Sequence, residues 1–418
     1  MGQISDYLKF NKNDNWVARM RKRKNTTCSN SPLMMEVGYA TTCNATWVKY
    51  FISTTLLLLS FGLSIQAQDS LTIKDRLYLK FEGLAGNSYA HHNAINYLLQ
   101  YPPYGVGLQV GLNSSGRKSW ENDLKMPHYG LGFQASQLGS SYLGNAYAMY
   151  LYVGSSFIHK QRWKWCYDIG AGVGYVDNPY DPEKNPLNIV NGSAWNAFLR
   201  VSTGVSYRFA RKHAVSLNGG LFHLSNGNST LPNWGVNTLY YSLGYNYKLT
   251  DAHTKKQSAK IDEKSTRVTL YGGTGFKEEP PIDGVKFFVA DMHVNAWHTF
   301  RPAHAWGGGI SAFYDGSAAK VFSRNEFDYL PPLDEYNMKT SNYYSLGAQA
   351  GYMLNMHPVY FSFEFGVYII SPTGKDVYNR WLLEVKLTER IRIVGGLTSR
   401  FGKAMNISCG LGYDLFRN

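Results

Sequence analysis

Apolar and polar residues alternate along most of this chain with a period of two. Val215, Leu217 and Leu221 alternate with Ser216, Asn218 and Gly220, and the next segment keeps the phase: Leu239, Tyr241, Leu243, Tyr245 and Tyr247 alternate with Tyr240, Ser242, Gly244, Asn246 and Lys248. Successive side chains of a strand point to opposite faces, so such segments read as strands with one apolar and one polar face. The same pattern predicts strands near 76–86, 104–113, 128–137, 145–158, 163–176, 194–209, 212–225 and 237–249 in the first half. In the second half it predicts 266–276, 284–299, 304–315, 341–354, 358–370, 377–388, 390–399 and 404–416. Val359, Phe361, Phe363, Phe365, Val367 and Ile369 form an unbroken apolar face there. Short turns (160–162, 210–212, 301–303, 356–358) mostly alternate with long connections (87–103, 177–193, 226–236, 316–340), and 114–127 breaks the parity. That is the layout of a bacterial outer-membrane barrel with short periplasmic turns and long extracellular loops.

Backbone polar groups in hydrocarbon must pair internally, so these strands require closure. The fold expected is all-β, a transmembrane antiparallel β-barrel of about sixteen strands. The alternative is two small eight-stranded barrels in tandem; a single closure is favoured as needing fewer abrupt sheet ends. Residues 68–250 and 266–418 form the two halves, joined by a polar linker at 251–265. The second reads as a degenerate repeat of the first: Gly395-Gly396-Leu397 echoes Gly219-Gly220-Leu221, which sets Ser399 at the position of His223 and Arg400 at that of Leu224. Residues 1–67 read as an N-terminal extension and signal peptide. The apolar run 51–64 follows Lys49, is too short for a membrane helix, and leads to Ile65-Gln66-Ala67, so the mature chain is expected to begin near Gln68. Met34 or Met35 would serve as an alternative start.

Composition fits a barrel. With 32 Tyr, 41 Gly and only 17% charged residues, the mean hydropathy is nevertheless −0.31, as two-faced strands require. The formal charge of +13 invites a nucleic-acid reading, but part of it sits at Arg19, Arg21, Lys22, Arg23 and Lys24, and the rest forms no continuous basic stripe, so no nucleic-acid partner is expected. After residue 67 only Cys166 and Cys409 remain, expected as free structural thiols, and no metal or cofactor is expected. His91-His92 reads as a solvated loop pair, and Glu82, Asp168 and Glu364 as lumen-facing charges.

The candidate chemistry lies on the apolar phase of the two strands first described. His223, Ser225 and Asn237 share the outward face, and the loop between the strands returns Asn237 beside the other two. An ester-cleaving site needs a nucleophile, a base and a group that orients the base; Ser225, His223 and Asn237 fit those roles in that order. The backbone N–H of Gly227 and the amides of Asn226 and Asn233 are candidate oxyanion donors. By pattern alone, the residues also suit an interfacial girdle of a non-enzymatic barrel such as a porin, adhesin or scaffold.

His223-x-Ser225-Asn226, then Pro232-Asn233-x-Gly235, then paired strands ending in Gly244-Tyr245, resembles the outer-membrane lipid A 3-O-deacylase family and bacterial sequences termed acyloxyacyl hydrolase. Tyr129-Gly130-Leu131-Gly132 and Leu143-Gly144-Asn145 add to the resemblance, which covers roughly residues 76–250. It implies an outer-membrane serine esterase acting on lipid A or lipopolysaccharide, with His223 as base, Ser225 as nucleophile and Asn233 the better oxyanion candidate. The best-known members carry Glu where this chain has Asn237; an amide can orient an imidazole but cannot neutralise imidazolium. An inactive deacylase homologue is the reading that this departure leaves open.

Overall fold

A computed structural model of the chain describes residues 72–90, 92–250, 264–321 and 339–417. The expected signal segment, His91 and most of the expected linker lie outside the described residues. The first eight strands are β1 (Leu77–Ser88), β2 (Tyr104–Asn113), β3 (His128–Gln137), β4 (Asn145–Lys160), β5 (Trp163–Val176), β6 (Trp195–Arg208), β7 (His213–Ser225) and β8 (Val236–Lys248). The second eight are β9 (Ser265–Glu278), β10 (Lys286–Arg301), β11 (His304–Asp315), β12 (Tyr344–Met356), β13 (Val359–Ile370), β14 (Val377–Lys386), β15 (Ile391–Arg400) and β16 (Lys403–Arg417).

The strands close as two barrels, β1–β8 and β9–β16, and the expectation of one large barrel is corrected. β8 pairs antiparallel with β1, from Tyr78↔Lys248 to Ser88↔Thr238, rather than passing on to β9. β16 closes on β9 in the same way, with Cys409 opposite Thr274. The argument from sheet ends fails because each small closure removes its own edges as completely as one large closure would.

The alternation governs which face each residue takes. On β7, Ser216, Asn218, Phe222 and Leu224 are buried while Val215, Leu217 and Leu221 are exposed. An eight-stranded barrel is just wide enough for its inward side chains to fill it. In the first lumen, Arg200 donates to Tyr150 and Tyr240 (both 2.6 Å) and pairs with Glu82 at 2.5 Å, with Lys80 3.3 Å from the same carboxylate. A Cβ at Gly132 would overlap the Tyr150 ring, so small inward residues make room for large ones. In the second lumen, Arg380 grips Glu364 through Nε (2.9 Å) and Nη2 (2.6 Å), and Arg392 pairs with Asp414 at 2.6 Å.

The 114–127 connection that broke the loop parity contains a short helix, Ser119–Asp123. Asp123 at its end accepts from the Ala303 backbone N–H (3.1 Å) and pairs with Arg301, both at the β10–β11 turn. The long connection therefore links the turn ends of the two barrels.

Candidate active site on the outer wall of the first barrel

β7 ends at Ser225 and β8 begins at Val236, so the 226–235 loop joins neighbouring strands. His223 and Asn237 are direct register partners, and Ser225 follows His223 on the same face. His223 Nδ1 lies 2.7 Å from Asn237 Oδ1, and His223 Nε2 lies 2.9 Å from Ser225 Oγ. A carbonyl oxygen only accepts, so Nδ1 carries the ring proton and donates it to Asn237. Nε2 then presents its lone pair to the Ser225 hydroxyl. The three side chains are half-buried and lie on the outward phase of the wall.

The inward neighbours hold this stretch of wall rigid. Phe222 and Leu224 are fully buried in an apolar cluster with Leu98, Leu143, Val176, Val190, Phe198 and Val236, which brings the loops onto the end of the barrel. Hydrogen bonds to the backbone complete the frame: Tyr89 N–H donates to Asn237 O (2.8 Å) and Gly235 N–H to Val190 O (3.0 Å). Gly235 has φ +76°, and a Cβ there would stand 2.8 Å from His223 Cε1 and 3.3 Å from Ser225 Cβ. The backbone thus approaches the imidazole as closely as only glycine permits.

The loop candidates divide by the bonds they make. The Asn226 amide donates to Thr230 O (2.8 Å) and Ser193 Oγ (3.1 Å), and Asn226 N–H donates to Asn233 Oδ1 (3.0 Å). With its oxygen so engaged, Asn233 donates its amide N–H groups to no acceptor among the described residues. Gly227, at φ +64°, donates its backbone N–H to no acceptor among the described residues. Ser193 and Val190, which brace this loop from the 177–194 connection, carried no sequence signal. In the same connection Asp181 is held below the usual carboxylate range by the backbone N–H groups of Lys184 and Glu183.

On the outward face, Leu199 lies opposite His223 and the small Ala197 opposite Ser225 across β6. Leu199, Val201, Leu221, Leu239 and Tyr241 are exposed around them. The hydroxyl therefore sits at the edge of an apolar wall. The other sequence candidates fall elsewhere. His92 Nδ1 accepts from Ala94 N–H (3.1 Å) and its ring lies 4.6 Å from that of Trp234. Cys166 and Cys409 are free thiols.

Residues 104–246 match the lipid A 3-O-deacylase (PagL) family, and residues 264–418 match the acyloxyacyl hydrolase C-terminal domain. No curated protein matches the chain. Among solved structures, the chain is similar to the outer membrane enzyme PagL at 19% identity and TM-score 0.27, covering 40% of this chain and 98% of that one. It is similar to Neisserial surface protein A at 12% identity and TM-score 0.28, covering 41% and 96%. It is similar to a mutant Rh. blastica porin at 9% identity and TM-score 0.17, covering 81% and 100%. The chain thus carries a PagL lipid A 3-O-deacylase domain followed by an acyloxyacyl hydrolase C-terminal domain.

Proposed function

We propose that the protein is an outer-membrane serine esterase that hydrolyses an ester-linked acyl chain of lipid A, with Ser225 as nucleophile, His223 as base and Asn237 as the group that orients the base. The observation that carries this reading is the imidazole bonded at both nitrogens, 2.9 Å to the hydroxyl and 2.7 Å to the amide oxygen. The tautomer fixed by Asn237 is the one a general base needs. The family match over residues 104–246 supports the substrate class.

In the first step Ser225 Oγ attacks the ester carbonyl while His223 Nε2 takes the hydroxyl proton. The carbonyl oxygen becomes an oxyanion, for which the Gly227 N–H and the Asn233 amide are the proposed donors; Asn226 organises their loop. The intermediate collapses, the ester C–O bond breaks, and Nε2–H returns the proton to the leaving alcohol oxygen. Water, deprotonated by His223, then attacks the acyl-serine, releases the fatty acid and restores Ser225. Nothing in this sequence calls on a metal or cofactor.

The exposed apolar residues around the site suit an acyl chain arriving laterally from the outer leaflet, with the long loops outside the cell. A conducting porin is disfavoured by lumens filled with Arg200, Glu82, Tyr150 and Tyr240 in one barrel and Arg380 and Glu364 in the other. The domain reading that goes with this function places the esterase in residues 68–250 of a mature chain starting near Gln68. Mass spectrometry of lipid A from cells with and without the protein tests the activity. Loss of one acyl mass, absent with Ser225→Ala, is expected; unchanged lipid A around correctly folded wild-type protein overturns the reading.

A further inference from the structure

The loop that follows Ser225 is moored to the second barrel. Glu278, the last residue of β9, donates its backbone N–H to Asn228 O (2.9 Å), and Asn228 Nδ2 donates back to Glu278 O (3.0 Å). The Glu278 carboxylate is buried, accepts from Leu231 N–H at 2.9 Å, and is fixed from its own side by Gly284 N–H at 2.9 Å. Lys286, at the start of β10, reaches the same carboxylate (2.8 Å), Ser229 O (2.7 Å) and Thr230 Oγ1 (2.9 Å). Gly227 lies against Ile407 of β16. Every residue from 227 to 231 therefore touches the second barrel, while Ser225 and Asn233 on either side belong to the first.

We infer that Glu278 and Lys286 are positioning residues for the candidate site, so that the second barrel holds the oxyanion side of a reaction carried out on the first. This rests on the esterase reading above. Free in solution, a loop of this length would sample many conformations, and donors help only when fixed where charge develops. A buried carboxylate that accepts one backbone N–H from the loop and pairs with a lysine gripping the two residues before it provides that fixation. Because the donors act on the oxyanion and not on the neutral ester, loosening them should lower kcat while leaving KM nearly unchanged.

The test uses the full chain in vesicles containing lipid A. Glu278→Ala and Lys286→Met are expected to lower kcat by roughly tenfold to a hundredfold, with KM changed by no more than about twofold; Lys286→Arg, which keeps the charge and reach, should restore most of the loss. Heat-modifiable gel migration establishes that both barrels remain folded. Asp123→Asn is the control, since it weakens the contact between the barrels at their turn ends, away from the loop; it should leave kcat within about twofold. Proteinase K cleavage mapped by mass gives a readout independent of activity: cuts between residues 226 and 232 should appear in both loop variants and not in wild type. Unchanged kcat in folded Glu278→Ala and Lys286→Met, or an equal fall in Asp123→Asn, overturns the positioning role. Wild type that never deacylates lipid A, while the cleavage pattern behaves as expected, overturns the esterase reading and leaves the mooring standing.

Discussion

His223 and Asn237 face each other across β7 and β8, with the imidazole Nδ1 2.7 Å from the amide oxygen. The amide sets the tautomer but offers no negative charge to the imidazolium that the proposed reaction forms at His223. Replacing the acid by its amide costs about 10⁴-fold in a serine-protease triad built around the acid. A site settled around an amide has less to recover, and a carboxylate on a lipid-facing wall carries its own cost. Asn237→Glu is expected to raise kcat by roughly tenfold or less, about 1.4 kcal/mol of barrier. Asn237→Ala should lower it, because the ring loses its anchor. An Ala variant as fast as wild type would assign the third role to a different residue.

Ser225→Ala and His223→Ala should each reduce fatty-acid release from lipid A by about 10³-fold or more, as expected for members of one catalytic unit. Neither side chain packs in the lumen, where Phe222 and Leu224 hold β7 in place. Heat-modifiable migration should therefore be unchanged in both. A fluorophosphonate probe should label wild type and not Ser225→Ala. Labelling that persists in Ser225→Ala would move the nucleophile elsewhere.

Strand positions were largely legible because a barrel wall imposes a strict period of two. β2, β3, β5 and β11 fall where the alternation puts them from end to end. β12 begins three residues later than its pattern, at Tyr344 instead of residue 341, because Thr340–Tyr343 form a 3-10 turn that the periodicity does not register. Closure was not legible in the same way. The phase of alternation is identical whether β8 pairs with β1 or with β9, and only the register from Tyr78↔Lys248 onward decides it.

The candidate site divides along the same line. His223, Ser225 and Asn237 are joined by local rules, two residues apart on a strand and opposite across one hairpin. Glu278 and Lys286 reach the loop from about 50 residues away, through contact between two barrels. No spacing in the sequence marks them. Asn226 was legible as a polar loop residue, but its bonds to Ser193 and Thr230 depend on how the 177–194 connection folds back.

The second lumen offers a stability prediction. Arg380 and Glu364 are both fully buried, and the guanidinium binds the carboxylate through two nitrogens. Arg380→Leu removes the cation paired with Glu364 and leaves that carboxylate with the Asn295 amide, which should cost about 3–5 kcal/mol. Arg380→Leu combined with Glu364→Leu should recover most of that, since the isolated charge is the main penalty. Urea unfolding in lipid vesicles reads both. Single and double variants equally destabilised would mean that the lumen depends on the shape of these residues and not on their charge pairing.

Gly235 separates two ways in which a close backbone approach can matter. Its φ of +76° disfavours any other residue, and a Cβ would stand 2.8 Å from His223 Cε1. The left-handed conformation alone costs an alanine about 1–2 kcal/mol, while asparagine tolerates it better. Both residues add the same Cβ beside the imidazole. If backbone strain dominates, Gly235→Asn should be clearly milder than Gly235→Ala in stability and in rate. If displacement of the ring dominates, the two should lose activity alike, by roughly tenfold or more, because a shift of a few tenths of an ångström spoils the 2.9 Å approach of Nε2 to Ser225. The expected result is the second: similar losses in kcat, with Asn the more stable variant in urea. Full activity in either variant would show that the imidazole can move aside at no cost, and the wall at Gly235 would then have no part in aligning the base.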